Sequence, residues 1–246
     1  MQSKVNKIVQ WLQQQVKEAH VKGLVVGLSG GLDSAVVTKL IKLACPENSL
    51  AVIMPIKSNP ADLKDADKVV MASDINSLTI DLTATHDMMF HSIKKNIVEE
   101  QAWNNNNGQI NDANLRARLR MSTLYAVATN YNYLVVGTDN AAEWHTGYFT
   151  KYGDGGVDIQ PIIDLTKEEV AKMARFLNLP DAVIEKTPSA DLWVGQTDEA
   201  ELGTSYKYID RYLEGKTIPA EDKKVIENLH FRTEHKRNIA RQLRLK

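Results

Sequence analysis

The sequence predicts an α/β fold: a parallel sheet with helices on both faces, followed by a helical C-terminal part. Three observations lead there. Short apolar, β-branched runs recur at Leu24 to Val26, Leu50 to Met54, Leu78 to Leu82 and Leu134 to Val136, as expected of strands buried on both faces. Between these runs lie stretches with apolar residues at helical spacing. Strands alternating with helices form parallel sheets, because each crossover helix returns the chain to the same end.

Taken in order, Lys4 to Val21 carries Val5, Ile8, Val9, Leu12 and Val16 on one helical face. The first strand follows, then a turn at Gly30-Gly31. A helix is expected from about Ala35 to Ala44, capped by Asp33 or Ser34. Pro55 stops the second strand. Asp62 to Ser73 reads as a helix with acidic residues in its first turn, and His86 to Gln101 as another. The Asn-rich run Asn104 to Gly108 reads as a mobile loop. Asn114 to Asn130 is a helix carrying Arg116, Arg118 and Arg120; residues two apart do not share a helical face, so the three cannot all serve one ligand.

Thr138 to Asp164 is irregular and rich in Gly, Thr, Asp and aromatic residues, a composition that in a long loop usually marks function. Leu165 to Leu177 is a helix with Thr166 as cap and Glu169 completing a capping box. Pro188 to Thr197 reads as loop, and Asp198 to Leu213 and Ala220 to Leu229 as helices. The tail from His230 is basic.

The 246 residues suit one domain spanning 1–246. A net charge of -1 gives no general pull toward nucleic acid or an acidic membrane. The single cysteine, Cys45, excludes an intrachain disulfide and suits a reducing, cytoplasmic setting. No signal-peptide pattern or bilayer-length apolar run is present. The six histidines show no zinc-site spacing.

The chemistry is concentrated in Gly27-Leu28-Ser29-Gly30-Gly31-Leu32-Asp33-Ser34. A glycine turn between a strand and a helix exposes backbone amides at the positive end of the helix dipole, which makes an anion site. Ser29 and Ser34 add hydroxyls, and Asp33 adds a carboxylate able to hold magnesium beside phosphate oxygens. The order excludes a Walker A loop, since no Gly-Lys-Ser/Thr follows, and excludes the dinucleotide fingerprint, since the third glycine is missing. Ser29 to Ser34 resembles the Ser-Gly-Gly-x-Asp-Ser loop of the ATP pyrophosphatases, which adenylate a substrate and release pyrophosphate.

The second half narrows the resemblance. Gly137-Thr138-Asp139, then Glu143, then Thr146 to Gly156, with Pro188-Ser189-Ala190-Asp191-Leu192 and Thr233-Glu234-His235-Lys236-Arg237, is similar to the ammonia-dependent, single-domain NAD synthetases. The likeness covers nearly the whole chain and implies the Rossmann-like adenine nucleotide alpha hydrolase fold. It implies that ATP adenylates the nicotinate carboxylate of deamido-NAD, that ammonia displaces AMP, and that NAD is released. It assigns ATP to Gly27 through Ser34, Thr138, Lys167 and Ser189, and deamido-NAD to Arg118, Lys151, Asp158, His235 and Lys236. It makes Asp33, Ser34 and Lys151 catalytic, and gives magnesium to Asp33 and Glu143.

Two departures from the family pattern stand out. Ser189 replaces a threonine, keeping the hydroxyl. The segment after the second strand, Ile53-Met54-Pro55-Ile56-Lys57-Ser58, lacks an arginine found in relatives, with Lys57 as a candidate substitute.

The competing readings are another ATP pyrophosphatase, GMP synthetase-like or tRNA-thiolating, and a non-catalytic ATP-binding regulatory module. The absence of a glutaminase-like segment points to free ammonia as nitrogen donor. Apolar positions Met88, Met89, Ile93 and Ile97, with Leu115, Leu119, Ala126 and Val127, together with the resemblance, point to a homodimer. Segments Ile56 to Leu63 and Leu192 to Asp198 are expected to close as lids over the substrates, and Ala102 to Asn111 to be mobile without a lid role.

Overall fold

Leu24, Val25 and Val26 have no exposed surface, and the fold is built around them. They lie in β1 (Gly23–Gly27), the inner strand between β2 (Ser49–Ile53) and β4 (Tyr133–Val136); β3 (Asn76–Thr79) completes the order β3-β2-β1-β4. All pairings are parallel, with Val25 opposite Leu50 on one side and Val135 on the other. This is a computed structural model, and it describes residues 1–189, 195–240 and 242–244.

The period of two along the strands divides the core. Leu24 and Val26 face α1 (Gln2–Glu18), α2 (Leu32–Ala44) and a later helix, α7 (Lys167–Phe176), packing with Leu12, Leu40 and Val170. Val25, Leu50, Val52 and Val135 face the other way, against Leu124 and Ala128 of α5 (Gly108–Tyr131). The crossovers α3 (Pro60–Ser73) and α4 (Thr83–Glu99) complete the two layers. A third cluster joins α6 (Ala141–Thr146), α9 (Asp198–Leu202), α10 (Tyr206–Leu213) and α11 (Ala220–Arg232) through Ala142, Leu202, Tyr206, Ile209 and Ile226. The short helices α8 (Asp181–Ile184) and α12 (Glu234–Arg237) complete the helical C-terminal part.

Local chemistry moves several boundaries. The helix after β1 starts at Leu32, not Ala35, and Gly31 occupies the cap position without a side-chain bond; neither Asp33 nor Ser34 caps it. Strand β3 ends at Thr79 rather than Leu82, although the amides of Ile80 and Leu82 still bond to Ile53 and Pro55 carbonyls. The Asn-rich run forms a 3-10 turn over Asn105–Asn107, capped by the Asn104 side chain, and leads directly into α5. The expected helix 198–213 is two helices, because Gly203 takes a φ of 71° and Ser205 caps a new start.

From β1 the chain moves to β2 on one side and later to β4 on the other. The loops leaving β1 and β4 therefore diverge at their carboxyl ends and open a crevice there, the usual ligand position in such sheets.

Candidate functional site

The loop after β1 forms one wall of that crevice. Gly30 has a φ of 84°, and a Cβ there would stand 2.3 Å from the carbonyl oxygen of Asp62, so only glycine fits. The Ser34 hydroxyl donates to the Gly31 carbonyl at 3.0 Å, and the Ser29 hydroxyl accepts from the Gly31 amide at 3.2 Å. The two hydroxyls are 3.0 Å apart. This explains why Ser34 is not a cap: its oxygen is engaged inside the turn. The first amides of α2 have no carbonyl partner within the helix and point out of its positive end.

Asp33 reaches across the crevice. Its Oδ1 accepts from the Asn140 side-chain amide at 2.8 Å, and its Oδ2 meets Lys167 Nζ at 2.6 Å. Lys167 Nζ also donates to Glu143 Oε1 at 3.2 Å and stands 4.7 Å from the Tyr206 ring centroid. The Tyr206 hydroxyl donates to Asp198 Oδ2 at 2.8 Å and lies 3.2 Å from Glu143 Oε1.

Helix termini aim these groups. Asn140 caps α6, and Glu143, three residues on, accepts the Asn140 amide at 3.1 Å, a capping box inside the stretch read as irregular. The Thr166–Glu169 box fixes the start of α7, as the sequence predicts. Asp210 accepts the Lys167 and Glu168 amides at 3.1 and 3.0 Å, supplying the negative charge that this helix start favours.

Burial pushes the Glu143 carboxyl up to about 7, with Lys167 holding it back. Burial pulls Lys167 down, but Asp33 and Glu143 outweigh it and keep the ammonium charged above the ordinary lysine range. Asp139, just after Thr138, is raised well above the usual carboxylate range by burial and then by Asp154, Glu143 and Asp33. Its Oδ2 is buried without a hydrogen-bond partner.

A cavity of about 450 Å³ collects most of the predicted nucleotide residues: Gly27, Leu28, Ser29, Gly31, Leu32, Asp33, Ser34, Thr138, Lys167 and Ser189, with Glu143 and Lys236. Gly30 supports the loop from behind. Arg118, Lys151, Asp158 and His235 do not line this cavity. Lys151 Nζ donates to the carbonyls of His235 and, at 3.0 Å, Asn238, while Arg118 donates to the Lys151 carbonyl at 3.4 Å. These groups tie the C-terminal arm to the rim. Asp158 accepts from the Val135 amide at 2.8 Å and the Tyr125 hydroxyl at 3.0 Å, at the base of β4. Lys236 donates to the carbonyls of Gly147 and Phe149 at 2.8 and 2.7 Å.

Lys57 does not substitute for the missing arginine within the cavity: it pairs with Asp87 on α4 and is not part of the lining. A guanidinium arrives instead from α5, where Arg120 Nε donates to the Met54 carbonyl at 3.1 Å. Arg116, one turn earlier, pairs with Asp112, so the three arginines do take separate partners. The lid segment expected at 192–198 begins in residues outside those described, including Trp193. Sequence reading also missed Asn140, Tyr206 and Asp210; only Asn140, three before Glu143, carries a local signal.

The pair of carboxylates suits a hard divalent cation. Asp33 Oδ2 and Glu143 Oε1 already converge on one positive charge, and phosphate oxygens and water could complete the shell. Among the described residues no group of three or more His, Cys, Asp or Glu offers an all-protein cage.

A family model for NAD synthase matches residues 4–240. An NH(3)-dependent NAD(+) synthetase from Alkaliphilus oremlandii is 55% identical over 239 residues, covering 97% of this chain and 96% of that one. The NMN synthetase of Francisella tularensis superposes with a TM-score of 0.91 at 36% identity, over 99% of this chain and 98% of that one. The NH3-dependent NAD synthetase of Campylobacter jejuni gives 0.78 at 30% identity, over 99% and 98%.

Proposed function

The chain belongs to the NAD synthase family, and from that premise we propose how its crevice works. It is a ligase that forms a C–N bond, the ammonia-dependent amidation of deamido-NAD to NAD at the end of NAD biosynthesis, with ATP as co-substrate. The observation that carries the site reading is the convergence of Asp33, Lys167 and Glu143 beside the Ser-Gly loop.

The triphosphate lies on the loop amides with Ser29 and Ser34, and Thr138 and Ser189 contact the nucleotide from the facing loops. Asp33 and Glu143 would hold magnesium, which when bound would neutralise phosphate charge. Lys167, released from the carboxylates, then faces the phosphates as a charge-assisted donor. The nicotinate carboxylate attacks the α-phosphorus, pyrophosphate leaves, and ammonia displaces AMP from the acyl-adenylate. Lys236 reaches deamido-NAD from inside the cavity, and Arg118, Lys151 and His235 from its rim, while Asp158 acts from the base of β4 and Lys151 serves the catalytic step once freed from its carbonyl partners.

Paired carboxylates at the phosphates support turnover over a mere ATP sensor. Incubation with ATP, magnesium, ammonium and deamido-NAD is expected to yield NAD, AMP and pyrophosphate in equal amounts, and glutamine alone none. ADP in place of AMP, or no NAD, would overturn the reading. The likeness to the NMN synthetase favours one second acceptor, nicotinate mononucleotide. Competition between the two acceptors decides; deamido-NAD is expected to have the higher kcat/KM.

Of the apolar positions expected at a homodimer face, Leu119 and Val127 on α5 pack against the sheet core instead, because α5 covers that sheet, whereas Met88 (71%), Met89 and Ile93 on α4 are exposed and supply the face of a homodimer. A monomeric mass at micromolar concentration would contradict that. Among the described residues no helix is long and apolar enough to cross a membrane. A cytoplasmic setting completes this reading, in keeping with the lone cysteine, Cys45.

A further inference from the structure

Arg120 is a half-buried cation on the inner side of α5, beside the carboxyl end of β2. Its Nε donates to the Met54 carbonyl at 3.1 Å and one terminal nitrogen reaches the Ser58 hydroxyl at 3.5 Å. Both partners are neutral. No carboxylate pairs with it among the described residues, whereas Arg116 pairs with Asp112, whose other oxygen stands 3.2 Å from His86 Nε2. Asp154 attracts it from a distance, and Arg116 repels it; burial, with that repulsion, brings the guanidinium down to about 10, still charged at neutral pH.

Isolating a guanidinium in this way is costly unless an anion joins it. The fork has five N–H donors, and the two bonds to Met54 and Ser58 leave donors over. Those two bonds also fix the plane of the fork. Arg120, Met54 and Ser58 line the same cavity as Ser29, Gly31 and Ser34. β2 is the immediate neighbour of β1, so the fork stands one strand away from the anion loop.

We propose that Arg120 binds a phosphate oxygen of the nucleotide substrates, with the Met54 carbonyl and Ser58 hydroxyl holding its fork in plane. This rests on the ligase reading and adds a binding residue to it. The phosphate comes either from ATP or from the pyrophosphate bridge of deamido-NAD, and planar, bidentate contact is what distinguishes arginine from lysine there.

The test is calorimetric titration of full-length wild type, Arg120→Lys and Arg120→Met with magnesium-ATP, adenosine, deamido-NAD and nicotinic acid riboside, each alone. Arg120→Met is expected to weaken one phosphate-bearing ligand at least tenfold, with Arg120→Lys recovering only part. The phosphate-free counterpart, adenosine for ATP or nicotinic acid riboside for deamido-NAD, should bind unchanged. Which phosphate ligand loses affinity identifies the source. Equal weakening of ligand and counterpart, or no change in either phosphate ligand, would overturn the proposal.

Melting curves keep a folding defect separate: the variant should melt within a few degrees of wild type. A fall in melting temperature with ligand affinities intact would show a purely structural role for Arg120 and refute the inference. Because the titration involves no turnover, it is independent of the NAD-forming assay. A chain that makes no NAD but binds ATP through Arg120 would keep this inference and lose the ligase reading.

Discussion

The two ends of the crevice are built differently. At the phosphate end, Asp33, Lys167 and Glu143 spend their charges on one another, directly over a loop shaped by Gly30. At the other end, Lys151 and Arg118 on the rim and Lys236 on the cavity wall spend theirs on backbone carbonyls of the segments they join. The first arrangement stores opposite charges that ligands can exchange for phosphate and metal. The second uses cations as staples for an irregular chain, and substrate contact there competes with holding the rim together. The preorganised charges thus sit at one end, while the cations of the other end hold backbone segments together.

The largest effect separating the two ends is expected from Lys167→Met. Leaving Asp33 and Glu143 facing each other and removing the phosphate donor should lower kcat on the order of a thousandfold. Steady-state rates at saturating ATP measure it; a loss below tenfold would place the chemistry elsewhere. Gly30→Ala comes next, as a stability change. Its Cβ would meet the Asp62 backbone, so the variant should lose about 2 kcal/mol or more in denaturant unfolding. An unchanged midpoint would mean that the turn can relax.

Lys236→Met probes the second end from the cavity wall. It should raise KM for deamido-NAD about tenfold while leaving KM for ATP within a factor of two, since its two carbonyl partners belong to the Gly147–Phe149 segment rather than the phosphate loop. An equal rise for ATP would erase the distinction between the ends.

The smallest effect is a pH dependence of the rim. His145 stacks on His230 at 4.2 Å, near Arg237 and Tyr212, and burial followed by the His230 and Arg237 charges pulls it down to about 4. An unfolded histidine titrates near 6.5, so the unfolded chain binds the extra proton between those values. The contribution is therefore complete above about 6.5 and is lost as the pH falls toward 4. Given partial exposure it should amount to about 1 kcal/mol. Urea unfolding of wild type and His145→Phe at pH 7.5 and 5 measures it; parallel pH dependences would refute it.

Sequence and structure agree where interactions are local. The β-branched runs, the Ser29–Ser34 string and the Thr166–Glu169 box each lie within a few residues, so pattern alone locates them. The helix start at Leu32 differs from the expected Ala35, because a side chain able to cap can bond elsewhere: Ser34 turns into its own loop, while the capping box at Asn140 lies in a stretch too short and irregular to show helical periodicity. The pairing of Asp33 with Lys167 spans 134 positions and that of Asp33 with Asn140 spans 107. No periodicity encodes such contacts; resemblance assigned Lys167 a ligand without indicating its carboxylate partners. Arg120 was legible only as one of three arginines on a helix, and its burial beside Met54 depends on how α5 crosses the sheet.

The most direct test of the account follows oxygen. Deamido-NAD labelled with ¹⁸O in the nicotinate carboxylate is turned over once with ATP, magnesium and ammonium, and the products are weighed by mass spectrometry. Adenylation by the crevice requires one labelled oxygen to bridge to the α-phosphorus, so AMP should carry one ¹⁸O and the NAD amide should keep the other, with none in pyrophosphate. Unlabelled AMP, or label in pyrophosphate or inorganic phosphate, would contradict an acyl-adenylate formed over the Ser29–Ser34 loop.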